Sequence, residues 1–189
     1  MSTGGWIALA VVAIVVVAAI AIYNGLVAGR QSVRNAWSQI DIQLKRRHDL
    51  IPNLVASVRD AMGVERATLT AVTEARAQAV NATTPQQAMQ AENNLTGALR
   101  GLLAVVEAYP QLRSQENVHG LMEELETTEN RIAFARQHYN DSVQAQNIRV
   151  SSFPGVLFAG AFGFTPETMF TVPEAEHAAI EAPPEVKLS

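Results

Sequence analysis

From Ile7 to Ile22 the chain reads IALAVVAIVVVAAIAI, sixteen residues without a polar side chain, flanked by Trp6 and Tyr23. Such a run must be buried in protein or in a bilayer. Counting from Trp6 to Val27 gives 22 residues. At about 1.5 Å per residue a helix of that length spans about 33 Å, against a hydrocarbon core of about 30 Å. An aromatic side chain at each end suits the interfacial belts of a membrane. Ala19-Ile20-Ala21 resembles a leader cleavage site. However, a secretory leader needs basic residues ahead of its apolar run, and none stands there. The pattern therefore predicts an uncleaved single-pass anchor. Arg30, Arg34, Lys45, Arg46 and Arg47 all follow the run. The excess of cations on that side predicts a short N-terminus outside and the rest of the chain in the cytoplasm, at the cell's inner membrane.

The remaining residues, to position 189, suffice for a domain with its own core. The absence of cysteine excludes disulfides, thiolate metal sites and cysteine nucleophiles. A formal charge of −4 argues against nucleic acid as a partner. Between Arg30 and Ala108 glycine and proline are sparse, so long helices are expected. Val33, Trp37, Ile40, Leu44, Arg47, Ile51, Leu54, Val58 and Ala61 alternate at spacings of four and three, the seam of a helix packed in coiled-coil fashion. That phase runs through Pro52, which predicts one helix with a kink there and not two helices. Helical composition continues past Gly63 to Thr84, where Thr84, Pro85 and Gln87 form a capping-box signature. A second helix is expected over 85–108, with Leu95, Leu99, Leu102 and Val106 on one face. A third is expected from about Ser114 to Val150, with Val118, Leu125, Ile132 and Tyr139 seven apart. The expected architecture is all-α: a transmembrane helix, then an elongated antiparallel bundle of three long helices, or four if the first bends strongly at Pro52 or Gly63. The expected organisation is 1–28 for N-terminus and span, 29–165 for the bundle, and 166–189 for a disordered tail rich in proline and carboxylates.

Three stretches carry a family resemblance. AWSQIDIQLKRRHDLIPNLV, EAYPQLRSQENVHGLMEELETTENRIAFARQHYNDSV and FPGVLFAGAFGF, in that order after a single span, resemble the signature blocks of the LemA family over roughly Tyr23 to Phe170. The resemblance implies a bacterial single-pass membrane protein with a cytoplasmic bundle of long helices and no established catalytic activity. The chain departs from the family pattern in having Val64 ahead of Glu65, Val118 in place of a Phe, and Leu188 in place of a Phe.

On the seam register, Lys45, Arg46, His48 and Asp49 of the KRRHD block point outward, as a solvated helix face, and only Arg47 points inward. A buried arginine needs a partner. Glu129 and Glu107 are the candidates, with Glu129 preferred and helix register as the role. Glu116 and His119 have a spacing that places both on one helix face, with Glu123 a turn further on, but a carboxylate-bridged metal pair needs a second such motif. The other one, Glu174 with His177, falls in the expected tail, so neither metal nor cofactor is expected. No phosphate loop or nucleophile elbow is present, and no enzymatic activity is expected. If there is one, a polar groove using His119, Glu123 or Glu129 is the place for it.

FPGVLFAGAFGF is uncharged and too short to span a bilayer as a helix. Either it caps the bundle core, or Phe153, Leu157, Phe158, Phe162 and Phe164 touch membrane or a partner. The sequence thus predicts a membrane-anchored helical scaffold or adaptor, working by protein–protein contact as a homo-oligomer or with another protein, in envelope maintenance. A membrane-shaping role through residues 153–164 is the main rival.

Overall fold

The computed structural model describes residues 3–61 and 66–171. Among these the protein is all-α. Helix α1 covers Thr3–Ala61, α2 Arg66–Val80, α3 Pro85–Ala108, the single turn α4 Pro110–Arg113, α5 Glu116–Ser151 and the single turn α6 Val156–Ala159. α1 runs through Pro52 unbroken, as the continuous seam phase requires. Above Arg30 it is long and apolar enough to cross a membrane, and none of its most apolar stretch is buried against the protein.

The stretch expected as one continuous first helix is two helices. α1 ends at Ala61 and α2 begins at Arg66, with Gly63 and the Val64-Glu65 departure lying outside the described residues. α2 then returns along α1: the Arg76 Nε donates to the carbonyl oxygen of His48 at 2.7 Å. Among the described residues the count is therefore four long helices. At the start of α3, the Gln87 amide donates to Thr84 Oγ1 at 3.2 Å with Pro85 in the first turn. The reciprocal arm falls one residue short of a capping box, because Gln87 Oε1 accepts from the amide and hydroxyl of Thr83.

The chain divides into two compact units, and α1 and α5 contribute to both. The four-helix unit is built on Ile42–Ile132. Its core joins Ile51, Leu54 and Val58 of α1 to Leu69 and Val72 of α2, Leu95, Leu99, Leu102 and Val106 of α3, Leu112 of α4, and Val118 and Leu125 of α5. The positions on α1, α3 and α5 are ones read from the sequence, while Leu69, Val72 and Leu112 were not singled out there; burying each aliphatic side chain contributes roughly 1.5–3 kcal/mol.

The span-bearing unit comprises Met1–Asp41 and Ala133–Met169. Here α1 and α5 lie antiparallel, since the Gln146 side-chain amide donates to the Leu26 carbonyl at 3.2 Å while the Trp37 and Tyr139 rings meet edge to face at 5.5 Å. Gly29 permits the approach, because a Cβ there would run into the side-chain ends of Gln146 and Arg149. Residues 166–169, expected to open a disordered tail, are instead held along α5. Asn147 exchanges hydrogen bonds with the Glu167 backbone at 2.8 and 2.9 Å, and the Tyr139 hydroxyl donates to the Thr168 carbonyl at 3.0 Å. Backbone groups of Glu167 and Thr168 paired with side chains of a neighbouring helix explain the order that composition missed. Burial, together with the Glu167 carboxylate, pushes the Tyr139 hydroxyl above its usual value and keeps it a donor. The expected tail beyond 171 lies outside the described residues.

Candidate functional site

Arg47 is 1% exposed, the one charged residue in the seam of α1. Its planar fork reaches two helices. Nη1 donates to Glu129 Oε2 of α5 at 2.5 Å and to Thr96 Oγ1 of α3 at 3.1 Å, and Nη2 bonds Glu92 Oε2 of α3. Glu92, also 1% exposed, completes the cluster through Oε1, 2.6 Å from His48 Nε2. Burial pushes the Glu92 carboxyl up. The hydrogen bond from His48 and the charges of Arg47 and His48 outweigh it and hold the carboxyl below the usual carboxylate range. A carboxylate tied at both oxygens is a structural anion and a poor proton acceptor. The cluster links three helices at one level, which suits a register-setting device.

Sequence reasoning placed Arg47 beside Glu129 but did not find Glu92. The signal was present: Glu92 precedes Leu95, Leu99, Leu102 and Val106 on the same alternating face of α3. His48, expected to face solvent, is buried, its ring held against Glu92 of α3. Arg46 does face outward, pairing with Glu124 at 2.6 Å with both side chains substantially exposed. Glu107, the other candidate partner for Arg47, lies elsewhere. It stands at one end of an open groove of about 490 Å³ between α3 and α5.

That groove is floored by Leu99, Leu103, Met122 and Leu125, and Arg47 with Glu129 closes its inner wall. Glu107, Glu123 and Glu126 line it with Arg100 and His119. The volume is in the range of small-ligand or peptide sites. An apolar floor with several carboxylates suits an amphipathic segment carrying positive charge. His119 and Glu123, from the half motif considered for a metal, both line the groove, whereas Glu116 is exposed away from it. Among the described residues no group of three or more metal-ligating side chains converges; Glu174 and His177 lie outside them.

The residues named as contact candidates in 153–164 separate into two sets. Phe164 is buried and Phe158 half-buried, while Phe153, Leu157 and Phe162 are exposed. The segment packs against Leu26 and Val150, so part of it does cap a core, in the span-bearing unit.

Comparison with known proteins agrees with this architecture. A family model described as the LemA family matches residues 36–187. Magnetosome protein MamQ 2 and Magnetosome protein MamQ 1 of Paramagnetospirillum magneticum (strain AMB-1) are each 26% identical over 168 residues, covering 75% of this chain. Magnetosome protein MamQ of Magnetospirillum gryphiswaldense (strain MSR-1) is 24% identical over the same length. The chain spans about three-fifths of the length of these curated relatives, 62% in each case. With a membrane-length apolar helix, an all-α body and a family match over most of its length, the chain is a membrane-associated helical protein that belongs to the LemA family.

Proposed function

We propose that this protein is a membrane-anchored helical scaffold that works by protein–protein contact, with the α3–α5 groove as its contact surface. α1 supplies the anchor. Arg30 and Arg34, just after the apolar run, orient the body toward the cytoplasm. The observation that carries the reading is the groove itself: Leu103 and Met122 are only half-buried within it and stand beside carboxylates, a surface suited to an amphipathic helix. The relatives are named for the magnetosome and not for a reaction, which supports an assembly role over a catalytic one.

The test is the mass of the full-length protein in mild detergent, by light scattering with the detergent contribution subtracted. The native chain is expected to form a discrete oligomer that Leu103→Glu breaks down. A monomer in both cases removes self-assembly. The enzyme reading has one observation in its favour, that His119, Glu123 and Glu129 all line the same groove. It gains if an activity is found that His119→Ala or Glu123→Gln abolishes without changing the mass. Orientation is tested separately. A cysteine at exposed Gln90, in this cysteine-free chain, should react with an impermeant maleimide only after the cells are broken.

A further inference from the structure

The segment after α5 has two unlike faces. Ala159 and Phe164 are buried against Leu26 and Val150, with Ile22 packed alongside. Phe153, Val156, Leu157 and Phe162 point away, each more than half exposed, Phe153 at 79% and Leu157 at 65%. No charged side chain lies anywhere between Phe153 and Phe164. Left in water, such a face is an adhesive patch that proteins seldom keep without a use.

Its position indicates what covers it. The Phe162 ring meets Tyr23 edge-on with centroids 5.1 Å apart, and Phe164 meets the same ring at 6.0 Å. The Arg30 guanidinium lies 3.9 Å over the Phe164 ring and donates to the Gly163 carbonyl at 3.1 Å. Gly163 turns the chain there with φ of +69°, a conformation that favours glycine. Ile22 and Tyr23 belong to the last turns of the apolar run. At about 1.5 Å per residue Tyr23 lies about 6 Å inside Val27, the outer end of that run. A side chain packed on Tyr23 therefore shares the depth of the membrane boundary. Cations flank the site: exposed Arg34 stands one turn beyond Arg30, and Arg149 lies beside Gly29.

From this juxtaposition we infer that Phe153 to Phe162 forms a shallow wedge in the bilayer leaflet from which α1 emerges. Leu157 and Phe162 enter the outermost acyl region, and Arg34 and Arg149 meet lipid phosphates. The occupant is lipid and not a second protein. The face is continuous with the apolar span, and four side chains fall well short of the roughly 20–30 residues a side of a stable protein interface. Beside an existing anchor, little apolar area is needed for insertion, because the segment is already held at the surface.

The natural lack of cysteine makes the test direct. Single cysteines at Leu157 and Phe162 are labelled with a polarity-sensitive fluorophore in the full-length protein, reconstituted in phosphatidylcholine–phosphatidylglycerol vesicles. Val16→Cys marks the acyl interior and Gln90→Cys marks water. Lipids brominated high on the acyl chain should quench the probes at 157 and 162, which should lose most of their emission. Aqueous iodide should quench only the probe at 90. Quenching of 157 and 162 by iodide and not by bromolipid overturns the wedge. Quenching by neither also overturns it, by showing that protein covers the face. The test does not depend on the groove or on oligomer mass, so it stands apart from the scaffold reading.

Discussion

In the four-helix unit, aliphatic side chains from α1, α2, α3, α4 and α5 fill one core, with the buried Arg47–Glu92 ion pair and the His48 ring set into it. In the span-bearing unit two helices and a loop hold together largely through neutral groups, the exception being Arg30, which donates to the Gly163 carbonyl and lies over the Phe164 ring. An amide side chain bonds a helix carbonyl at Leu26, a tyrosine bonds the Thr168 carbonyl, and Asn147 pairs with the Glu167 backbone. The physical setting accounts for the contrast. A buried ion pair is tolerable where further polar partners, here Thr96, Glu129 and His48, are packed around it, and it then penalises every other register. Neutral hydrogen bonds are cheaper to bury and individually weaker, at about 1 kcal/mol each. They suit a region where α1 is passing toward hydrocarbon. Truncations should therefore be severe in the first unit and mild in the second.

The largest effect is expected at Glu92. Glu92→Ala leaves Arg47 and His48 facing each other without their shared anion and should destabilise the folded chain by about 3–5 kcal/mol. Urea unfolding followed by circular dichroism measures it. The triple change Arg47→Met, His48→Leu and Glu92→Leu should recover most of the loss, because an apolar core of similar volume replaces the ions. If the single change were harmless, the buried Arg47–Glu92 pair would not distinguish the two units. Leu102→Ala, which empties part of the same core, should cost about 2–5 kcal/mol by the same measurement.

Acid should have a milder effect. The Glu92 carboxyl titrates below its ordinary value of 4.5 in the folded chain. Its contribution is therefore fully present above pH 4.5 and is lost as pH falls through the lower folded value. Stability should fall with acid in that window, and Glu92→Gln should flatten the slope. An unchanged slope would assign acid sensitivity to other carboxylates.

How much of this was legible follows the same division. The seam of α1 and the faces of α3 and α5 could be read because most buried positions there are apolar at helical spacing, Thr128, Ser142 and Gln146 being the polar ones on α5. Arg47 stood out as the charged break in that spacing. Glu92 was hidden because its partners lie 44 and 45 positions away, and a charge at the head of an apolar row reads as surface. The burial of His48 depends on Glu92 of α3, which spacing within α1 cannot reveal. The apolar character of 153–164 was plain. Which of its side chains turn inward was not, because that depends on docking against Tyr23 and Leu26, more than a hundred positions away.

In the span-bearing unit, Tyr139→Phe removes one hydrogen bond to the Thr168 carbonyl and should cost about 0.5–1.5 kcal/mol. Hydrogen exchange at 166–169 should rise while the four-helix unit is unaffected. A loss as large as that of Glu92→Ala would show that the clasp and the core are not energetically distinct.

The smallest net effect is expected at Gly29, and its sign is informative. Alanine in place of glycine inside a helix gains about 1 kcal/mol from backbone entropy. The new Cβ would strike the side-chain ends of Gln146 and Arg149, which can swing aside. In doing so Gln146 gives up its bond to the Leu26 carbonyl, a loss of about 1 kcal/mol. The two contributions nearly cancel, so Gly29→Ala alone should leave stability almost unchanged. In a Gln146→Ala background the obstruction and the bond are both gone, and the same change should stabilise by about 1 kcal/mol. Such non-additivity, read from a double-mutant cycle in urea, would locate the requirement for glycine in the Gln146 clasp. If Gly29→Ala were destabilising in both backgrounds, Arg149 would be the constraint. The close approach of α1 and α5 would then be set by a cation beside the membrane surface and not by a neutral amide.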